Sequence, residues 1–526
     1  MKHTFSFLRR AWERILSCGF ALIWFPTQSI NAIMLGIGNG RLGQNGRAVP
    51  AFYTKLGLRL SFTPAYIILL CLMVTLPGCS YFSAVDSAPE TVKIPEQWTS
   101  AITKEQEPVR PWLDEFSEPR LIELVKEAFQ KNPSIQSLIA GIAIAEEQTW
   151  LSWAGFWPKI NAGLRASRNQ RSNASGFSVS STRVNNVGFS LDFLWEIDLW
   201  YKLGNELEAT EYEKTATLSD LYAAQLSLAA NISKSWFDAI VASQQVKLAD
   251  KTINSFKNAL DIIERGYDRG LYKALDVRLA RSNLLNAKGR KQNFLRIKDE
   301  ATRTVESLSG RYPSASLELP EQLPTVSQSL PNSVPSSLLE RRPDIIAAEQ
   351  RFFASDQWLL KARKNMLPTI QISGSGGTST KKLADIFDPE GLIWNIASNL
   401  SQPIFHGAQL LAERNQAEAR VKKAAADYAQ VVLQAFQEVE TAMAAEKWLQ
   451  KQLMLLQAEA KESADAEYLA ENDYITGLTD IITLLEAQRR AFDSENSLLE
   501  LHKQRLQNRI NLYLALGGPV LTPLSK

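Results

Sequence analysis

The chain has 526 residues, a formal net charge of +2, 45% hydrophobic residues and three cysteines. Cys18 and Cys71 both precede Cys79, so nothing beyond residue 79 can form a disulfide framework or a cysteine metal site. No basic patch points to nucleic acid.

Residues 1–54 hold an apolar run from Ile15 to Phe25 behind Arg9, Arg10 and Arg14, and a formal G-x-G-x-x-G at Gly38, Gly40 and Gly43. No strand precedes that motif and no amphipathic helix follows it, so nucleotide binding is rejected there. A start codon assigned too far upstream explains the stretch, with translation expected from Met34 or later. Lys55 and Arg59 then precede "AYIILLCLMVTL", the basic n-region and short apolar h-region of a secretory signal. At about a dozen residues the run is too short to span a bilayer. Leu76, Gly78 and Cys79 resemble the bacterial lipobox, whose cysteine is lipidated and becomes the new N-terminus; Pro77 is unusual in it. Residues 1–78 are therefore read as signal and upstream segment, and 79–120 as a lipidated N-terminal segment. Residues 1–78 carry eight Lys/Arg and one Asp/Glu, so the remainder, with 50 and 55, is acidic by five. No later apolar run has transmembrane-helix length, so any further crossing must use strands.

Strand candidates come next. Ile160, Ala162, Leu164 and Ala166 alternate with polar residues, and "VGFSLDFLWEIDL" alternates from Val187 to Leu199 with Leu194 as the exception. The pattern recurs more faintly in "TIQISGS" and "LIWNIASNLSQPIF". Apolar-out, polar-in strands of this kind mark an outer-membrane barrel.

No proline occurs between Pro158 and Pro313 or between Pro403 and Pro519. Both gaps are rich in Ala, Leu, Glu, Gln, Lys and Arg and read as long helices. Each contains one glycine turn, "YDRGLYKALDVRLARS" at 267–282 and "YITGLTDIITLLEAQR" at 474–489, which align without a gap. Pro133 and Pro158 likewise correspond to Pro343 and Pro368, and Gly310 to Gly517. The chain is an internal duplication, with repeats at 121–310 and 341–518, a linker at 311–340 and a tail at 519–526. The 70 residues from Gly407 to Gly477 span about 105 Å as a helix, and the return to Gly517 only about 60 Å. The stretch from Pro343 to Pro368 adds about 37 Å, so one long helix can run against two shorter ones stacked end to end. Four strands cannot close a barrel, because single-chain barrels begin at eight. Open edges in lipid force oligomerisation, and three chains, giving twelve strands, leave room for a channel.

With these segments in place, the chain resembles the TolC-like outer-membrane efflux proteins, in particular the NodT-type lipoprotein branch. The residues that carry the resemblance are "FLWEIDLWYKLGNE", "VPSSLLERRPDIIAAEQ", "MLPTIQISGSGG", "NLSQPIFHGAQLLAERNQAEA" and the segment from "YITGLTDIITLLEAQRR" to "LALGG". The resemblance covers about Trp112 to Gly518. It implies a mainly α fold with a transmembrane β-barrel, a homotrimer with four strands per chain, and a long periplasmic helical barrel. An equatorial domain would combine 311–340 with both mature termini. The implied partners are a periplasmic membrane-fusion adaptor and an inner-membrane pump, usually of the resistance-nodulation-division class, which supplies the energy while this component transports passively.

No cofactor is implied beyond the covalent lipid on Cys79. No G-x-S-x-G, H-E-x-x-H or Walker sequence suggests an enzyme, "GSGGTSTKK" lacks the ending of a phosphate loop, and His3, His406 and His502 show no ligand spacing. The alternative is the outer-membrane channel of a protein-export system of the type I secretion kind. The resemblance also implies site residues. Gly270, Leu271, Gly477 and Leu478 would form adaptor-contacting turns. Ile482 and Glu486, four residues apart, would give an apolar ring and a cation-favouring carboxylate ring at the pore constriction. Tyr474 would contact Asp276 to hold the gate, and Thr479 replaces an arginine that some members have there. On that expectation, Tyr474→Phe and Asp276→Ala each raise resting conductance.

Overall fold

The computed structural model describes residue 98 and residues 111–175, 178–325 and 341–520, all within the unit Thr75–Lys526. Cys79, most of the N-terminal segment, the linker from 326 to 340 and the tail beyond 520 lie outside the described residues.

A 3-10 turn at Trp112–Phe116 leads into α1 (Pro119–Lys131) and α2 (Pro133–Ala154), followed by strands β1 (Lys159–Ser175) and β2 (Ser178–Ile197). The long helix α3 (Lys202–Asp268) and its return α4 (Ala274–Leu308) complete the first copy. The second copy runs α5 (Pro343–Lys364), β3 (Thr369–Thr378), β4 (Leu392–Ser401), α6 (Gln409–Ile475) and α7 (Ile481–Ala515). Equal lengths make the duplication visible: α3 and α6 have 67 residues each, α4 and α7 have 35, and α2 and α5 have 22. At 1.5 Å per residue the long helices reach about 100 Å. Both start after a left-handed residue, Tyr201 (φ 59°) and Ala408 (φ 66°), at corresponding positions.

The short helices stack end to end through a different bond in each copy. In the first, the Asn132 side chain caps α2, accepting from Ser134 N at 2.8 Å, and donates to Leu308 O at the end of α4 at 2.8 Å. Arg342 holds the matching place in the second copy. Its guanidinium bonds Asp344, donates to Glu438 at 2.7 Å and reaches Ala515 O at the end of α7 at 3.1 Å. Gly310 (φ 76°) and Gly517 (φ 64°) end α4 and α7; across the splice a Cβ at Gly310 would collide with Lys131, and one at Gly517 would crowd Arg341 and Arg342. Around the first splice lies the main core, where Trp112, Phe116 and Leu121 pack on Trp236, Phe237 and Ile240 of α3. Arg509, fully buried, lies 3.6 Å from Glu115 and 3.9 Å from Glu446, which ties the N-terminal turn to α6 and α7.

The four strands form one antiparallel sheet in the order β1-β2-β3-β4. Its register aligns Ile160, Phe193, Gly374 and Ile396 in one row, and Ala162, Leu191, Gly376 and Trp394 in another on the same face. Asn161, Asp192, Ser375 and Asn395 align on the opposite face. One face is thus apolar and largely exposed, with Ile160, Leu191, Trp394 and Ile396 uncovered. Gly374 is required because the Phe193 ring lies across it, and Gly377 because the Phe189 carbonyl occupies the place of a Cβ. Among the described residues no helix is long and apolar enough to cross a membrane.

Two measurements check the splices. Arg342 hydrogen bonds to charged partners are worth about 1.5–3 kcal/mol each, and lysine cannot reproduce the fork. Arg342→Lys is therefore expected to lower the thermal midpoint in detergent, followed by circular dichroism; an unchanged midpoint would contradict this role. The Glu127–Arg311 pair gives a pH signature. Hydrogen bonds from Arg311, then from Lys131, hold the Glu127 carboxyl down to about 2. A depressed carboxyl stabilises the fold above the ordinary glutamate range, and that contribution is lost as pH falls through about 2. Arg311→Ala should destabilise at neutral pH and lose its effect in strong acid.

Candidate functional site at the turn-bearing helix ends

The α3–α4 and α6–α7 hairpins turn at Gly270 (φ 76°) and Gly477 (φ 78°), where positive φ favours glycine. Leu271 N donates to Gly266 O at 2.9 Å and Leu478 N to Asp473 O at 2.7 Å, so each long helix ends in a Schellman-type cap. That closure projects Leu271 and Leu478 outward, 72% and 79% exposed. Nothing surrounds either glycine. Each turn thus presents one bare leucine on a backbone closed by its own hydrogen bonds.

Just above the turns, Phe256 and Ile263 of α3, Val277 and Ala280 of α4, and Ile481, Leu484 and Leu485 of α7 bury one another around Tyr474. Tyr474 stacks on Tyr272, with centroids 5.7 Å apart and planes 18° from parallel. Tyr272 in turn lies flat on Gly266, where a Cβ would meet its ring. The Tyr474 hydroxyl is buried without a hydrogen-bond partner. Burial, then the neighbouring Tyr272 hydroxyl, raises its pKa.

The expected Tyr474–Asp276 hydrogen bond is therefore absent within the chain. Asp276 is the third residue of α4, and its carboxylate accepts from Lys273 N at 3.0 Å, capping its own helix. An N-terminal amide is a nearer and better-aligned donor than a phenol already packed against another ring. Tyr272 and Gly266 are the partners that the sequence reading missed. Tyr272 corresponds to Thr479 in the duplication, so the one aromatic that completes the stack has no counterpart to draw notice.

Ile482 and Glu486 share the face of α7 turned away from this core, with Ile482 59% exposed. The Glu486 carboxylate accepts from Arg489 Nη2 at 2.7 Å and from Arg490 Nε at 3.0 Å. Hydrogen bonds from Arg489, then Arg490, lower its pKa, so it remains ionised. The spacings i+3 and i+4 made both arginines readable as its neighbours. Deeper in the hairpin, Gln488 Nε2 donates to Ser255 Oγ at 2.8 Å, joining α7 to α3. No group of His, Cys, Asp and Glu among the described residues could hold a metal. Cys79 lies outside them.

A family model described as "Outer membrane efflux protein" matches residues 124–311 and 334–518, the two copies of the duplication. The chain belongs to that family. It is an outer-membrane efflux channel. The pyoverdine export outer membrane protein OpmQ of Pseudomonas aeruginosa is 28% identical over 464 residues, covering 84% of this chain and 95% of that one. The cation efflux system protein CusC of Escherichia coli K12 is 25% identical over 466 residues, covering 87% of this chain and 100% of CusC. The solved open state of the Neisseria gonorrhoeae MtrE outer membrane channel superposes with a TM-score of 0.71 at 25% identity, covering 83% and 98%.

The tyrosine stack generates a prediction opposite to the sequence expectation. Tyr474→Phe removes a hydroxyl that makes no bond and should leave resting conductance in a planar bilayer unchanged. Tyr272→Ala, which removes the stacked ring, should raise it. A rise with Tyr474→Phe equal to that with Tyr272→Ala would restore a hydrogen-bonded gate.

Proposed function

We propose that this channel is a homotrimer and the passive exit duct of a tripartite efflux system. The observation that carries the reading is the sheet. Its edges, β1 and β4, have no strand partner among the described residues, and its apolar face is continuous across all four strands. In a bilayer each unpaired edge group costs several kcal/mol, and pairing β4 of one copy with β1 of the next removes the cost. The flanking helices support closure by the same neighbour. On α2, Ile144, Trp150 and Leu151 are exposed, and on α6 Leu411, Leu433 and Leu455 are exposed. These bare rows sit at opposite ends of the helical layer.

Trp150, Trp153 and Trp157 fit the same picture. They cluster with centroids 5.2 Å apart where α2 meets β1, the level at which tryptophans favour a membrane–water boundary. Below it the helices extend into the periplasm, and the Leu271 and Leu478 turns meet a membrane-fusion adaptor that links the duct to an inner-membrane pump of the resistance-nodulation-division class. Tyr474, with Tyr272, forms part of the gate, Ile482 and Glu486 line the constriction, and Asp276 fixes the first turn of α4 beside the gate. Cys79 carries a lipid that anchors the mature N-terminus. OpmQ is named for pyoverdine export and CusC for cation efflux, so membership of the family does not by itself fix the cargo.

Purified protein in planar bilayers should give discrete conductance steps; a smooth baseline at all voltages would contradict the duct. Mass spectrometry of the mature N-terminus should find a lipidated Cys79, and an unmodified N-terminus upstream of it would remove the anchor.

A further inference from the structure

The carboxylate expected to favour cations at the constriction is not electrostatically free. Arg489 grips it with two nitrogens, Nη2 at 2.7 Å from each oxygen and Nε at 3.1 Å. Arg490 Nε adds a bond at 3.0 Å. One turn further along α7, Asp493 accepts from Arg290 of α4 at 2.6 Å and lies 3.7 Å from Arg489. The cluster therefore holds three guanidinium groups, Arg290, Arg489 and Arg490, against two carboxylates. Its outermost members are basic, because the Arg490 side chain is 72% exposed and that of Glu486 only 40%. Glu495 and Glu500, further along α7, pair with Lys251 and Lys503, and Asp480, the α7 N-cap, accepts from Thr483 N. Asp480 lies about 9 Å along the axis from Glu486, beyond a Debye length of about 8 Å at physiological salt.

We infer that Arg489 and Arg490 convert the Glu486 ring into an anion-favouring collar, so that the solutes passing the constriction most readily are anionic organic molecules rather than free cations. The inference rests on the reading that Glu486 lines the pore. It follows from that reading by geometry, because the two guanidinium groups are bonded to the carboxylate and go wherever it goes. In a trimer the surplus is three positive charges at the narrow level. Basic rings select anions as acidic rings select cations. An arginine held by a carboxylate also keeps its position, so the collar presents fixed rather than wandering charge.

The test is the zero-current reversal potential of the full-length protein in a planar bilayer across a KCl gradient. The parent channel should show the sign of chloride preference. R489Q/R490Q should reverse it to potassium preference, R489K/R490K should retain the parent's sign, and E486Q should move it further toward chloride. A parent that prefers potassium, or an R489Q/R490Q channel with the parent's reversal potential, overturns the inference. If E486Q still shifts the potential in that case, Glu486 stays in the pore and only the role of the arginines fails. If no variant shifts it, Glu486 is outside the conducting path and both readings fall together.

Discussion

The rest of the molecule depends on one requirement of the backbone, a partner for the edges of β1 and β4, which are unpaired among the described residues. A four-stranded sheet with one apolar face can enter lipid, but its outer N–H and C=O groups find no partner there. In this chain the two edges come from different copies of the duplication, one at its start and one at its end. A neighbour that satisfies one edge leaves the opposite edge open, so pairing must continue around a ring until it closes. The helices continue that geometry. Each strand pair feeds a long helix, and each long helix is matched by two short ones.

The splices explain how a wall about 100 Å long can be built from helices of unequal length. Asn132 and Arg342 sit at matching points and do matching work with different chemistry, one through an amide cap and one through a guanidinium fork. Duplication preserved the mechanical need, a partner for the last carbonyls of the returning helix, while the residue that supplies it diverged. The hairpin ends behave differently. There glycine and backbone bonds close the turn, Asp276 and Asp480 cap the returning helices, and Leu271 and Leu478 stay exposed.

Much of this architecture was legible because prolines and glycines mark helix ends, and a duplicated pattern doubles every signal. Pro133, Pro343, Gly270 and Gly477 sit where the sequence reading put boundaries. The second pair of strands was fainter because Gly374, Gly376 and Gly377 interrupt its alternation. Gly374 and Gly377 make room for Phe193 and for the Phe189 backbone, a need visible only once the register is known. The helix α3 shows little amphipathic period because it packs on α2, α4, α5 and α7 together, burying several faces. At the tips the sequence identified Tyr474 but not its partner, since stacking on Tyr272 depends on the approach of two hairpins. Arg489 and Arg490 stand at helical spacing from Glu486, but only the side-chain geometry shows that both close on its carboxylate.

The central claim is that three chains close one barrel, and native mass spectrometry of the protein extracted in mild detergent tests it most directly. The account predicts a dominant species of three chains that falls to monomer only when the sheet unfolds. A folded species of one chain, with its strands retained and no trimer at any concentration, would contradict it.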